Sequence, residues 1–202
     1  MTAERALAQD VEAKVRQHQE HDAAGNSKFG FIVFLLSESV IFLSFFTGYI
    51  VYKTTTSNWY PPGVTGLETR EPLINTLVLV SSSFVIYVAE RYLHDRKLWG
   101  FRTFLLATMA MGSYFLFGQA VEWRSLPFTY QSGLLGGTFF LLTGFHGLHV
   151  LTGILLQALM LGRSFIPGNY ENGYFGVEAT SLFWHFVDVI WIVLYVLIYV
   201  WQ

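Results

Sequence analysis

Residues 179–201 read ATSLFWHFVDVIWIVLYVLIYVW, a run of 23 residues in which only His185 and Asp188 are ionisable. A helix of about 20 mostly apolar residues crosses the roughly 30 Å hydrocarbon core of a bilayer. This run is therefore long enough to cross a membrane. The sequence predicts a transmembrane helix here rather than the core helix of a soluble domain.

Four more runs of the same kind precede it, and most of the stretches between them contain turn-forming residues. Membrane β-strands would alternate over about ten residues, and these runs are too long and too continuous for that pattern. We therefore predict an all-α membrane protein with five transmembrane helices in residues 29–202, after a polar segment over residues 1–28. The predicted spans are 29–52, 73–90, 103–123, 133–161 and 179–201.

The composition supports this class and excludes others. Only 13% of the 202 residues are charged, against about a quarter in a soluble domain. Cysteine is absent from the sequence, which excludes disulfides, thiolate metal sites and cysteine nucleophiles. The net charge of −2 and the lack of a basic stripe predict no nucleic-acid partner.

The polar segment 1–28 contains no apolar stretch that would serve as the core of a cleavable signal peptide. We therefore expect the first apolar run to act as an uncleaved membrane anchor. Within the segment, residues 2–17 are predicted to form a short surface helix. Its narrow apolar stripe consists of Leu7, Val11 and Val15. The stripe fits either a partly ordered surface helix or docking against a partner subunit.

Basic residues predict the direction of the five helices, because they concentrate in the cytoplasmic loops of membrane proteins. The N-terminal segment, the second loop and the fourth loop share one side and hold nine Lys and Arg residues. The opposite side holds three, namely Lys53, Arg70 and Arg124. We therefore predict that the N-terminus lies inside and the C-terminus outside.

We single out six ionisable side chains within the predicted spans, where such residues are costly and often functional. His146 and His149 are three residues apart, as are His185 and Asp188. Residues at this spacing share a helix face, so each pair could contribute to a metal site. A structural network of hydrogen bonds between helices is the alternative. The six residues are Glu38, Glu122, His146, His149, His185 and Asp188.

Depth in the membrane separates Glu122 from the other residues. At ~1.5 Å rise per residue, Glu38 and Asp188 each lie about 14 Å from the inner end of their spans, and His149 about 18 Å. Glu122 lies at the outer end of the third span, so it cannot join the others. The six residues are therefore not predicted to form one site, which favours the structural network.

Glu38 is surrounded on its predicted helix face by apolar and aromatic residues. An unpaired carboxylate there would be expensive, so we expect either a neutral carboxyl or one bonded to a group of similar depth. Both a proton relay and a hydrogen bond to lipid or to a neighbouring helix are compatible with that environment.

Five stretches of the chain resemble, in order and spacing, subunit III of the haem–copper cytochrome c oxidases. They run from about residue 28 to the C-terminus. The chain begins at the position of the third helix of the family's seven-helix form, so it is most similar to a short five-helix bacterial form, which cyanobacterial oxidases also resemble. The stretches are FLLSE at 34–38, QAVEW at 119–123, PFT at 127–129, GFHGLHV at 144–150 and WHFVDVIW at 184–191.

The resemblance implies a non-catalytic subunit of an aa3-type terminal oxidase, the complex that reduces oxygen to water and pumps protons. It implies that this chain carries no haem, copper or other metal, and that these centres belong to the partner subunits I and II. The chain would pack against subunit I, support its proton uptake, prolong its catalytic life and bind phospholipids. Its expected location is the bacterial plasma membrane, or the thylakoid membrane in a cyanobacterium.

By position, Glu38 matches the family's intramembrane glutamate, and the other five ionisable residues match its internal polar residues. Three alternatives stay open at this point. Subunit III of a quinol oxidase is similar, although glutamate rather than aspartate at position 38 favours the cytochrome c branch. A small transporter or channel would need broken helices or a charged path. A histidine-box oxygenase would need more histidines near the cytoplasmic face.

Overall fold

The computed structural model describes residues 25–170 and 173–202 with their side chains, and residues 2–24 only as helical backbone. It contains five α-helices, followed by one π-helical turn at Val196–Val200. No strand occurs in the part of the chain so described. The helices are α1 at Thr2–Thr55, α2 at Arg70–His94, α3 at Leu98–Ser125, α4 at Gly133–Arg163 and α5 at Phe175–Tyr195.

The first four predicted spans lie within α1 to α4, and the fifth, 179–201, covers most of α5, the π-helical turn and Trp201. Five segments are long and apolar enough to cross a membrane: Gly25–Thr55, Arg70–His94, Leu98–Ser125, Gly133–Arg163 and Phe175–Val200. The prediction of an all-α membrane protein with five transmembrane helices is therefore confirmed. The apolar stripe predicted in residues 2–17 lies outside the described side chains and stays a prediction.

The chain forms two compact units, Met1–Glu38 and Ser39–Gln202. In the second unit, α2 packs against α3, α3 against α4, α4 against α5, and α5 against α2, which closes a ring of four helices. The part of α1 in this unit contacts α4 and α5 through Phe42, whose ring lies 5.2 Å from Phe145 and 6.3 Å from Phe186.

Small residues bring these helices close together, as is common in membrane bundles. Trp184 of α5 is completely buried, and its indole lies between Gly112 of α3 and Gly153 of α4. On another face of α4, Gly144 lies against Trp123 of α3. Glycines on α4 therefore contact both neighbouring helices, α3 and α5.

The residues that follow α5 form hydrogen bonds to the first loop and to α1. The Gln202 side chain accepts a hydrogen bond from the Leu67 N–H at 3.0 Å and donates one to the Leu67 carbonyl at 2.9 Å. Lys53 of α1 donates to the Trp201 carbonyl and lies 4.4 Å from the centre of the Trp201 ring. The first loop and the ends of α1 and α5 thus form one connected region.

At the opposite end of the bundle, Tyr170 anchors the loop between α4 and α5. Its hydroxyl donates a 2.6 Å hydrogen bond to the Met160 carbonyl. Burial raises the pKa of the Tyr170 hydroxyl, and the nearby charge of Arg163 partly opposes this shift. The neutral phenol is therefore the form that the folded loop favours.

Candidate functional site

The predicted polar residues lie in several separate places. Asp188 and His185 lie on α5 and contact the same serine of α2, Ser83. Ser83 Oγ donates to Asp188 Oδ2 and lies 2.9 Å from His185 Nδ1. The Ser83 hydroxyl therefore joins both His185 and Asp188 of α5 to α2.

Two more side-chain hydrogen bonds join the same pair of helices. Trp184 Nε1 donates to Ser82 Oγ at 2.8 Å, and Trp191 Nε1 donates to Thr76 Oγ1 at 2.9 Å. Both serine and threonine are buried and donate in turn to carbonyls of their own helix. These bonds, with those of Ser83, form what we call the α2–α5 ladder. It satisfies polar groups that lipid could not satisfy.

His146 lies in a different environment, completely buried on α4. Its ring lies 4.8 Å from Trp191 and meets Phe115 edge-on at 5.7 Å. Within residues 25–170 and 173–202, neither ring nitrogen has a hydrogen-bond partner. His146 is therefore packed as an aromatic side chain.

His149 is half-buried one turn further along α4. Its Nδ1 lies 2.8 Å from the Phe145 carbonyl oxygen, and its ring lies 5.0 Å from that of Phe42. It also stacks on Phe183 of α5 at 6.1 Å. The two histidines of the GFHGLHV stretch thus have different aromatic neighbours.

Glu122 forms a third cluster at the end of α3. Tyr199 donates a 2.8 Å hydrogen bond to Glu122 Oε1, and Gln119 donates one of the same length to Oε2. The π-helical turn at Val196–Val200 contains Tyr199, and a Trp201 N–H to Val196 carbonyl bond of 2.8 Å closes it. Both carboxylate oxygens are therefore held in place.

Glu38 is half-buried on α1, in the unit Met1–Glu38. The structure thus distributes the six predicted residues over distinct places, and only His185 and Asp188 share a partner. No group of three His, Asp or Glu side chains in the described residues is arranged to hold a metal ion.

The sequence did not predict Ser82, Ser83, Thr76, Gln119 or Tyr199 as hydrogen-bond partners. One signal was available. The run Ser81-Ser82-Ser83 places three hydroxyls within an apolar span, and hydroxyls in membrane helices commonly bond across to a neighbouring helix. The helix that they would contact could not be predicted from that run.

These features define a membrane-spanning helix bundle whose ionisable groups are largely held by its own helices. The family model described as "Cytochrome c oxidase subunit III" matches residues 2–202. The chain belongs to the cytochrome c oxidase subunit III family, which confirms the resemblance of its five sequence stretches.

Individual relatives agree with this assignment. The chain is 40% identical over 198 residues to "Cytochrome c oxidase subunit 3" of Synechocystis sp., covering 96% of this chain and 85% of the relative. It is 41% identical over 172 residues to the protein of the same name from Thermostichus vulcanus, covering 85% of each. It is 38% identical over 180 residues to that of Lumbricus terrestris, covering 86% of this chain and 70% of the relative.

Proposed function

We propose that this chain is the non-catalytic third subunit of a haem–copper cytochrome c oxidase, packed against subunit I in a complex that also contains subunit II. The family match over residues 2–202 carries the proposal. The structure is compatible with it, because Glu122 of α3 and Asp188 of α5 bond to side chains of this chain's own helices. In such a complex the haem and copper belong to the partner subunits.

The complex itself provides the first test. Mass spectrometry of the intact, detergent-purified assembly should find this chain together with haem-bearing subunits. Purification of the chain alone or with an unrelated transport protein would contradict the proposal. Cyanobacterial relatives favour a plasma or thylakoid membrane, and separating these membranes before purification would locate the complex.

Within this function, we propose that Glu38 supports proton uptake by subunit I and anchors lipid, without being an obligatory step in oxygen reduction. Its position within a transmembrane helix supports this role, since intramembrane carboxyls are costly unless they serve a purpose. Glu38→Gln keeps the hydrogen-bonding shape but removes the titrating proton. Glu38→Ala removes both.

Oxygen consumption measured against pH separates the possible roles. For a supporting role we expect Glu38→Gln to behave nearly like the wild type, whereas Glu38→Ala loosens lipid or subunit attachment and shortens the turnover lifetime. If Glu38 relays protons, both variants slow turnover, increasingly so at high pH where protons are scarce. Complete loss of activity in Glu38→Gln, with the complex intact, would overturn the supporting role.

A further inference from the structure

A cavity of about 400 Å³ lies at the end of the bundle where Tyr170 anchors the loop between α4 and α5. One wall is formed by the end of α2, the loop between α2 and α3, which contributes Arg96, and the start of α3, which contributes Arg102. The other wall consists of residues 164–170 and Tyr174. None of the six ionisable residues of the candidate site lines this cavity. It is therefore a separate feature of the bundle.

Arg102 bridges the two walls of the cavity. Its Nε donates a 3.0 Å hydrogen bond to Ser164 Oγ, and one Nη donates to the Ser164 carbonyl. Its guanidinium also lies 4.1 Å from the centre of the Phe165 ring. A guanidinium has five N–H donors, and three of them have no partner among the described residues. The group is thus fixed in position and still has donors for a ligand.

Arg96 lines the cavity from the turn that ends α2, and its backbone is unusual. Its φ is 59°, a left-handed value that residues with a Cβ rarely adopt. The Arg96 N–H donates to the Leu93 carbonyl and the Lys97 N–H donates to the Tyr92 carbonyl, each at 2.9 Å. This is the Schellman pattern, whose left-handed position is normally glycine because other residues are strained there. A long cationic side chain kept at a strained position indicates a use for that side chain.

The cavity is positively charged. None of its described lining residues is acidic, and neither Arg96 nor Arg102 forms an ion pair with a described residue. Helix ends contribute about −0.5 charge at the C-terminus of α2 and of α4, and about +0.5 at the start of α3. These partial charges offset only part of two full positive charges. The cavity therefore favours an anion, and guanidinium groups match the oxygens of phosphate and carboxylate groups.

The depth of the cavity distinguishes a soluble anion from a lipid. The lining extends only to Leu93 in α2 and to Arg102 in α3, which is about 6 Å or less from the ends of those helices. The rest of the lining belongs to the two loops. An acyl chain needs a groove that follows a transmembrane helix, and this lining provides none. The volume of the cavity lies in the usual range for small-molecule sites.

We propose that this cavity binds a soluble phosphate ester, whose phosphate group accepts hydrogen bonds from Arg96 and Arg102. Phosphate suits two separate guanidinium groups better than a carboxylate does, because it offers three terminal oxygens. The organic part of the ligand contacts Phe165 and Ile166, which line the cavity and are 63% and 60% exposed. The bound ligand joins the two loops. The proposal goes beyond the assembly of an oxidase complex and does not depend on it.

The test measures the binding of phenyl phosphate to the purified assembly in phosphatidylcholine nanodiscs. Saturation-transfer difference NMR detects the phenyl protons of the bound ligand, and a titration gives Kd. Inorganic phosphate and phenyltrimethylammonium are the competitors, since the first lacks the ring and the second replaces the anion by a cation. We expect inorganic phosphate to displace phenyl phosphate but to bind more weakly, and the cation not to displace it.

Arg102→Gln and Arg96→Gly should each raise Kd about tenfold, since each removes charged hydrogen-bond donors. Arg96→Gly has a second readout, because glycine relieves the strain of the positive φ and should maintain or raise Tm while binding weakens. Arg91→Gln is the matched control. Arg91 lies in the last turn of α2 beside Tyr87 and does not line the cavity, so Kd should be unchanged. Circular dichroism melting shows whether each variant is folded, and Arg96→Gly decides the test if Arg102→Gln is not.

Displacement of phenyl phosphate by the cation, or an unchanged Kd in the folded Arg96→Gly variant, would overturn the proposal. Displacement by phosphatidylglycerol added to the nanodisc would overturn it too, because a lipid headgroup would then be the occupant. Binding to a Glu171→Gln variant alone would contradict it as well, since the chain's own carboxylate would then fill the site. Absence of binding to the wild type, with haem-bearing subunits present, refutes the site and leaves the proposed function intact.

Discussion

Trp184 of α5 also contacts α2, α3 and α4, so a change next to its ring should affect the packing of all four helices. We predict that Gly153→Ala destabilises the protein. A methyl group at residue 153 would lie 2.6 Å from Cε3 and 2.8 Å from Cζ3 of the indole. The ring is rigid, and Gly112 borders it on its other edge, where an added methyl group would lie 2.6 Å from Cη2. The ring therefore cannot move aside without separating the helices.

The size of the effect follows from three contributions. Overpacking of a well-packed core costs about 1–3 kcal/mol. Displacement of the indole weakens its hydrogen bond to Ser82, a loss of about 0.5–1.5 kcal/mol. The higher helix propensity of alanine returns about 1 kcal/mol. The expected net loss in the free energy of unfolding is about 2 kcal/mol.

Gly147→Ala provides a matched control on the same helix. Its methyl group would meet Leu116 Cδ2 at 3.8 Å, an ordinary contact, so only the propensity gain of about 1 kcal/mol is expected. Thermal melting in detergent, followed by circular dichroism, measures both variants. At about 2–4 °C per kcal/mol, Tm should fall by about 4–8 °C for Gly153→Ala and rise slightly for the control. Equal Tm values for the two variants would refute the close packing of Trp184.

Three further predictions concern other parts of the chain. Ser82→Ala should lower the free energy of unfolding by about 1–3 kcal/mol because it leaves the buried indole N–H unpaired, whereas Ser81→Ala, on the exposed face of the same helix, should have little effect in the same melting assay. Tyr170→Phe should cost about 1 kcal/mol at neutral pH. Because the folded state raises the pKa of this phenol, its contribution is complete below the unfolded pKa of about 10 and decreases above it; a difference in Tm that grows at high pH would contradict this. A tag on Met1 should be accessible only from the cytoplasm and one after Gln202 only from the other side, and labelling of both tags from one side would overturn the predicted orientation.

The sequence was sufficient for the membrane class and the number of helices, because the length and hydropathy of each run determine whether it can cross a bilayer. It also predicted that Glu122 lies apart from the other ionisable residues, since its depth follows from a count of residues. In the structure Glu122 indeed bonds to Gln119 and Tyr199, away from the ladder.

The sequence could not predict which side chains bond to one another between the helices of the bundle. Helical periodicity predicts which side chains share a face, as for Trp184, Asp188 and Trp191, but not which helix that face meets. The ladder needs α2 beside α5, two helices far apart in the chain. The contact of Tyr199 with Glu122 also involves a π-helical turn, which a repeat of 3.6 residues does not predict.

The α2–α5 ladder can form only late in the synthesis of the protein. The hydroxyls of Ser82 and Thr76 donate to carbonyls of α2 itself. These two hydroxyl hydrogens are therefore bonded in the membrane before any other helix packs against α2. Their remaining partners, the two indole N–H groups, belong to a helix that leaves the ribosome only after α3 and α4. The newly inserted bundle must therefore wait with one side open until α5 arrives. During that interval a chaperone or a neighbouring protein has access to surfaces that the finished ring no longer offers.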